Sequence, residues 1–326
     1  MRVLVTGAAG FIGSSVAEAL LRRGDEVVGI DNFNSFYDPS IKEENAREVA
    51  KTAAAVGAKF ELIRADLVTD DERVDALFTS PATRPDVILH LAAWAGVRPS
   101  IRQPLVYTAN NVEATTKLLE RARRFEVPRF VFASSSSVYG ARKTVPFRED
   151  DRVDDPISPY AATKKAAELI GYTYHHLHGI SFSGLRFFTV YGPRQRPEMA
   201  IHLFASRILK NEPIRMHGDG ASSRDYTYID DIVAGVLGAI DRCVKTEEYR
   251  IYNLGGSETT TLRTLIEQIE AACGRRAQIQ QVADQPGDVP RTFADISRAR
   301  AELGYDPRTP VAEGIVRFVE WLKRPQ

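Results

Sequence analysis

The 326-residue sequence contains only two cysteines, Cys243 and Cys273, and neither falls in a C-x-x-C or Cys/His ligand spacing. That argues against a disulfide framework and a cysteine-based metal site. Both are read as reduced, buried thiols, which places the chain in a reducing compartment, the cytoplasm. Charge of one sign is equally scarce: 43 Lys and Arg balance 43 Asp and Glu. No global field therefore draws nucleic acid or an acidic membrane surface, and any anion site has to be local. No apolar run reaches 18 residues, so no membrane span is expected. Internal repeats, low-complexity tracts and long linkers are also missing. With 44% apolar residues the chain can bury a sizeable core. Its length suits one large α/β domain with a smaller appendage.

The N-terminus carries the first positive signal. Val3-Leu4-Val5 is a short β-branched and aliphatic strand, followed by Gly7-Ala8-Ala9-Gly10-Phe11-Ile12-Gly13. Val16, Ala19 and Leu20 then fall at helical intervals until Gly24, and Glu26–Ile30 forms a second strand ending in Asp31. A secretory signal would need a more basic start and an apolar segment free of three glycines. A dinucleotide turn needs this pattern. The first glycine permits the tight turn, the next lets the backbone approach a pyrophosphate, and the last lets helix pack on strand. The helix N-terminus offers unpaired N–H groups and partial positive charge. Asp31, 18 residues after Gly13, is placed to accept the adenosine ribose hydroxyls and to repel a 2′-phosphate, which favours NAD over NADP.

Strand and helix signals keep alternating. Phe60–Ile63 leads to Asp66-Leu67, Val87–Leu91 to Ala92-Ala93, Phe130–Ala133 to a serine run, and Ser183–Phe187 to Phe188–Pro193. This rhythm predicts an α/β Rossmann fold, a doubly wound parallel sheet whose ligands lie beyond the carboxyl ends of the strands. After residue 190 Pro and Gly become frequent and the βαβ rhythm stops. We expect residues 1–190 to form the cofactor-binding domain, a later segment of about 225–257 to return to it, and 191–326 to be mainly a smaller C-terminal substrate-binding region. Residues 42–55 read as a solvated helix, and Val311–Leu322 as a closing amphipathic helix. His175, His176 and His178 share one predicted helix without an acidic or Cys ligand, so no metal is expected.

Tyr160-Ala161-Ala162-Thr163-Lys164 is the sharpest chemical pattern. Positions four apart share a helix face, and an ammonium beside a phenol stabilises the phenolate. Such a phenolate can act as a general base near neutral pH. Upstream lies Ser134–Ser137 followed by Val138-Tyr139-Gly140, where a hydroxyl can bind the oxygen that the tyrosine deprotonates.

Taken together, GAAGFIG, Asp31-Asn32, HLAAWAGVR, the serine run with VYG, YAATK, LRFFTVYGP and RDYTYIDDI resemble the extended short-chain dehydrogenase/reductases in their sugar-nucleotide epimerase/dehydratase branch. The resemblance covers almost the whole chain. It implies tightly held NAD that is reduced and reoxidised in one turnover, with Tyr160 as base, Lys164 as its partner and nicotinamide-ribose ligand, and Ser135 as the aligned hydroxyl. NAD would be lined by Gly7, Gly10, Phe11, Ile12, Gly13, Asp31, Asn32, Asp66, Leu67, Leu91, Ala92, Ala93 and Asn111. The branch commonly forms dimers through a helix pair, so a homodimer is expected.

Residues beside VYG separate the reactions within the branch. Dehydratases carry Asp-Glu there and decarboxylases that make UDP-xylose carry Glu, whereas this chain has Ser136-Ser137. An elimination would lack its proton donor, so 4-epimerisation is favoured. LRFFTVYGP and AGVR are similar to the UDP-glucuronate 4-epimerases. A uronate carboxylate would then meet Arg98, Ser136, Ser137 and Thr189, which would restrain the 4-keto acid from losing CO₂. Arg196 is a candidate anion ligand, Arg224 a diphosphate ligand, Asp288 a uridine-ribose ligand, and Met199 the start of a uracil segment. Such enzymes usually read G-P-W-G-R-P, and this chain has Arg194-Gln195 in place of Trp-Gly, near the expected sugar pocket. Alternatives are a UDP-glucose/UDP-galactose 4-epimerase, a UDP-glucuronate decarboxylase and a non-catalytic NAD sensor on the same fold.

Overall fold

The computed structural model describes residues 1–256, 258–283 and 289–324. Its strands are β1 (Arg2–Thr6), β2 (Glu26–Asp31), β3 (Phe60–Arg64), β4 (Val87–His90), β5 (Arg129–Ser135), β6 (Ser181–Phe187), β7 (Thr189–Tyr191), β8 (Ile214–His217), β9 (Ser223–Arg224), β10 (Tyr226–Tyr228), β11 (Tyr249–Leu254), β12 (Thr260–Thr261) and β13 (Ile279–Val282). The helices are α1 (Phe11–Arg22), α2 (Pro39–Val56), α3 (Asp71–Asp75), α4 (Val97–Arg102), α5 (Pro104–Tyr107), α6 (Ala114–Arg124), α7 (Pro159–His178), α8 (Ala200–Leu209), α9 (Ile229–Lys245), α10 (Leu262–Cys273), α11 (Ser297–Leu303) and α12 (Val311–Leu322).

Seven parallel strands form one sheet in the order β3-β2-β1-β4-β5-β6-β11. Every residue of β4 and β6 is buried, which fits a parallel sheet covered on both faces; β4 opens on the apolar run Val87-Ile88-Leu89, whereas β6 also buries Ser183 and Arg186, which bond Cys243 and Glu168. One core layer gathers Val3, Val5, Val16 and Leu20 with α9 and α12 residues such as Ile232 and Phe318. The other gathers Leu4, Ile88, Phe130 and Phe132 with Leu118 and Leu119 of α6. Strand order reverses between β1 and β4, so a crevice opens at their carboxyl ends.

Local chemistry sets the helix ends. Ser158 accepts from Ala161 N at 3.1 Å to cap α7, with Pro159 in its first turn and left-handed Gly179 ending it. Asp38 caps α2, and Gly57 closes it. The helix read as solvated over 42–55 is α2, and it buries one face through Ala46, Val49 and Ala53. After β6 the chain adds three short strand pairs, β7 with β10, β9 with β12 and β8 with β13, before and around the return of β11 to the main sheet. At two to four residues each, these strands are too short to show an alternation pattern. Among the described residues, no helix is long and apolar enough to cross a membrane. Cys243 and Cys273 are both free and buried.

Candidate active site

A cavity of about 490 Å³ runs along the carboxyl ends of β1, β2, β4 and β5. The glycine turn forms one wall. Gly7 is left-handed at φ +69°, and a Cβ there would sit 2.9 Å from Ala92 N. A Cβ on Gly13 would lie 2.0 Å from the Gly7 carbonyl oxygen, so only glycine lets α1 start so close to β1. Gly10, the residue before α1, provides no side-chain cap. The first-turn N–H groups of the helix are thus left to whatever lies in front of them.

Asp31 ends β2 with its carboxylate oriented by Phe33 N at 2.8 Å and Ala9 N at 3.2 Å. Asn32 donates to Asp66 at 2.7 Å, which joins the ends of β2 and β3. Lys42 reaches back from α2 to within 3.7 Å of Asp31 and donates to Asn34 at 3.1 Å. Burial pulls the Lys42 ammonium below its ordinary range, against the opposing pull of Asp31. No sequence motif singles out Lys42; only the packing of α2 over β2 delivers it.

Tyr160 and Lys164 lie on α7 facing Ser135 at the end of β5, and all three line the cavity. Ser135 Oγ accepts from Ser137 N at 3.2 Å and from Ser137 Oγ at 2.8 Å. With both acceptor positions used, its own hydrogen is free to point to a third oxygen. Lys164 Nζ donates to Ala133 O at 2.7 Å and lies 5.9 Å from the Tyr160 ring centre. Burial lowers its pKa to about 7, while Glu168 acts to raise it. The expectation that Lys164 lowers the phenol's pKa meets a stronger effect. Burial pushes Tyr160 up, and the opposing pulls come from the Ser135 hydroxyl and the Arg196 guanidinium. A buried phenolate loses more hydration than these groups restore.

Two buried networks that sequence reasoning missed hold this arrangement. Glu168, one helical turn past Lys164, accepts from Ser134 Oγ at 2.6 Å and makes two 2.9 Å bonds with Arg186 of β6. Arg186 also donates to Tyr139 OH at 3.0 Å. So α7 grips Ala133 and Ser134, consecutive residues of β5, through Lys164 and Glu168. The second network runs through His90, whose ring burial lowers to a pKa of about 3. Thr115 Oγ1 donates to Asn111 O at 2.6 Å, so it accepts from His90 Nε2 at 3.0 Å. His90 Nδ1 then accepts from Thr6 Oγ1 at 2.7 Å, and Thr6 Oγ1 accepts from Ala92 N at 3.1 Å. The neutral Nε2–H tautomer is thereby assigned from its partners. The His in HLAA was the available signal for this second network.

The cavity brings together Gly7, Gly10, Phe11, Ile12, Gly13, Asp31, Asn32, Asp66, Leu67, Leu91, Ala92 and Ala93 with Ser135, Ser136, Ser137, Tyr160, Lys164, Thr189, Arg196, Met199 and Arg224. Two expected residues fall elsewhere. Asn111 is buried in a turn of π-helix over Thr108–Glu113. Its amide is spent on Trp94 N and O at 2.8 and 3.0 Å and on Thr163, and Asn110 and Ala114 line the cavity instead. Arg98 faces an adjoining cavity of about 780 Å³ that shares Arg224 and Val289 with the first and also holds Arg207 and Arg215. Asp288 lies outside the described residues. Nor do Arg194 and Gln195 line either cavity. Arg194 turns to α1, while Gln195 is buried with its Nε2 on Val190 O at 3.1 Å.

The family model described as GDP-mannose 4,6 dehydratase matches residues 4–318. A UDP-glucuronate 4-epimerase of Thermodesulfobacterium geofontis is 42% identical over 321 residues, covering 98% of this chain and 95% of that one. The crystal structure of a UDP-glucuronic acid 4-epimerase from Bacillus cereus, in complex with UDP-glucuronic acid and NAD, superposes with TM-score 0.88 at 36% identity over 99% of both chains. A UDP-glucose 4-epimerase from Thermotoga maritima, solved with UDP-glucose, gives TM-score 0.87 at 30% identity over 99% of both chains.

Proposed function

The chain belongs to the GDP-mannose 4,6 dehydratase family of extended short-chain dehydrogenase/reductases, and from that premise we propose that it is an NAD-dependent UDP-glucuronate 4-epimerase, interconverting UDP-glucuronate and UDP-galacturonate. The observation that carries the reading is the end of β5. Tyr160 and Lys164 face Ser135-Ser136-Ser137 in one cavity with the glycine turn, and no carboxylate stands beside them in that serine run. The set suits oxidation and reduction at one carbon and lacks the acid that an elimination needs.

The cavity fits NAD. The turn from Gly7 to Gly13 and the uncapped start of α1 would hold the pyrophosphate. Asp31, already oriented by two backbone N–H groups, and Asn32 would take the adenosine ribose. Asp66 and Leu67 would border the adenine, and Leu91, Ala92 and Ala93 the middle of the dinucleotide. When bound, NAD supplies the hydride acceptor for C4 and the positive charge of its oxidised ring. Tyr160 takes the proton of the C4 hydroxyl and returns it after the keto sugar has presented its other face. Ser135 directs its hydrogen to the same sugar oxygen. Lys164, fixed by Ala133 O, adds positive charge beside the phenolate and holds the nicotinamide ribose. Ser136, Ser137, Thr189 and Arg196 would receive the uronate carboxylate, with Arg98 at the adjoining cavity. Arg224, at the junction of the two cavities, would grip the diphosphate, and Met199 and Asp288 would be ligands for the uridine. Residues 1–190 and 225–257 would then serve mainly the cofactor, and the rest of 191–326 the sugar nucleotide.

Exposed apolar side chains on adjacent helices, Leu169 and Tyr172 of α7 with Ile101 and Leu105 of α4 and α5, support a homodimer. Two buried thiols support a cytoplasmic location. The deciding experiment is NMR of the purified protein with UDP-glucuronate and no added reductant. Formation of UDP-galacturonate is expected. Release of CO₂ with a UDP-pentose would identify a decarboxylase, and conversion of UDP-glucose alone would identify a hexose epimerase.

A further inference from the structure

The segment from Gly192 to Met199 crosses from β7 to α8 and delivers Arg196 and Met199 to the cavity wall. It is held at three points. Arg194 Nη2 pairs with Glu18 Oε1 at 2.6 Å, and its Nη1 reaches Ser14 Oγ at 3.3 Å. Both partners lie on α1, Ser14 directly after the glycine turn and Glu18 about one helical turn further. The guanidinium of Arg196 stacks over Phe36 at 5.3 Å, and Phe36 belongs to the connection that follows Asp31 at the end of β2 and also holds Asn34. On the far side, Gln195 Nε2 donates to Val190 O and the Gln195 backbone carbonyl accepts from His202 Nδ1 at 2.6 Å.

Arg194 has the features of a strut. Its backbone is left-handed at φ +69°, a conformation that a non-glycine residue adopts only when its surroundings compensate. The ion pair is mostly enclosed, with the two side chains 17% and 11% exposed, and the same carboxylate is also held by Arg22 at 2.9 Å. So the segment is tied to α1, whose start would hold the pyrophosphate, and to Phe36, beside the adenosine end. We propose that Arg194 is a positioning residue that straps the 192–199 segment across the cofactor cavity and thereby slows NAD release and couples it to occupation of the sugar-nucleotide side. NAD cannot leave past the strap until the Arg194–Glu18 pair opens. A nucleotide that contacts Arg196 or Met199 favours the closed strap.

The proposal rests on the NAD reading above, and the test separates the two. NAD release is followed as loss of radiolabelled NAD into an excess of unlabelled NAD, from the loaded protein and from Arg194→Met, Glu18→Gln and the double variant, each with and without UDP. Each single variant should release NAD about fivefold faster, the factor that a partly enclosed ion pair of roughly 1 kcal/mol corresponds to. The double variant should be no faster than either single. UDP should slow release in the parent protein and lose most of that effect in the variants. Unchanged release in Arg194→Met, or additive effects in the double variant, would overturn the strap. A parent protein that neither carries nor binds NAD would instead overturn the cofactor reading, and the strap with it. Replacing Arg194 by Trp and Gln195 by Gly should leave the preference between UDP-glucuronate and UDP-glucose unchanged, since neither side chain lines a cavity. A changed preference with unaltered NAD release would assign the pair to sugar selection and overturn the proposal.

Discussion

Replacing Lys164 by Met should make the NAD-free protein more stable near neutral pH while abolishing turnover. Lys164 is 2% exposed, and burial brings its pKa from 10.5 to about 7. At about 1.36 kcal/mol per pH unit, holding this ammonium in the folded state costs up to roughly 5 kcal/mol below pH 7. Part of that is offset by the bond to Ala133 O, whose loss costs about 1 kcal/mol, so the variant should gain roughly 2–4 kcal/mol at pH 6. The sign follows from proton counts. Between pH 7 and 10.5 the unfolded lysine keeps a proton that the folded one has released, so the parent protein gains stability as pH rises. By pH 9 it should recover about 2–3 kcal/mol relative to the variant. Thermal melts of both proteins at pH 6, 7, 8 and 9, after removal of NAD, give the test. The Tm difference should favour the variant at pH 6 and narrow toward pH 9. A difference independent of pH, or a variant that melts below the parent at pH 6, would refute the reasoning that Lys164 is kept at the expense of stability.

Other consequences are as direct. Tyr160→Phe should lower the epimerisation rate by about 10²–10⁴ while UDP-sugar binding by calorimetry persists. Glu168→Gln leaves Arg186 facing a neutral amide at a site where both parent side chains are at most 2% exposed; a loss of about 3–5 kcal/mol is expected in denaturant melts. The paired change Glu168→Met with Arg186→Met should recover much of that loss. Gly13→Ala would place a methyl 2.0 Å from the Gly7 carbonyl oxygen, a backbone clash worth roughly 3 kcal/mol or more. Soluble protein with normal NAD content from that variant would contradict the packing described for the turn.

How much was legible in the sequence varies with how local the cause is. The glycine turn, Asp31 at the end of β2 and the Tyr160/Lys164 spacing are set by backbone geometry over a few residues. Their types and intervals therefore pointed to a cofactor turn and a candidate base without any tertiary knowledge. The parallel sheet was equally readable, because strand signals alternate regularly with helical segments up to β6. The closing helix α12 announced itself by the spacing of its apolar residues.

Tertiary structure alone decided where longer side chains point. Arg98 and Arg194 are long, charged and near the site in sequence, yet one faces the adjoining cavity and the other the buried Ser14/Glu18 face of α1. Asn111 was expected at the cofactor, but the π-turn aims its amide at the backbone of Trp94. Lys42, Glu168, Arg186 and His90 enter the site's support only because α2, β6 and β4 pack against the elements that carry Asp31, Lys164 and Gly7. The phenol's pKa belongs to the same class. A Tyr-x-x-x-Lys interval brings a cation near, but burial, which no interval encodes, outweighs it in the ligand-free protein. A sequence states which groups are close along the chain; the packed fold determines which of them lose water, and that loss sets both their charge and their partners.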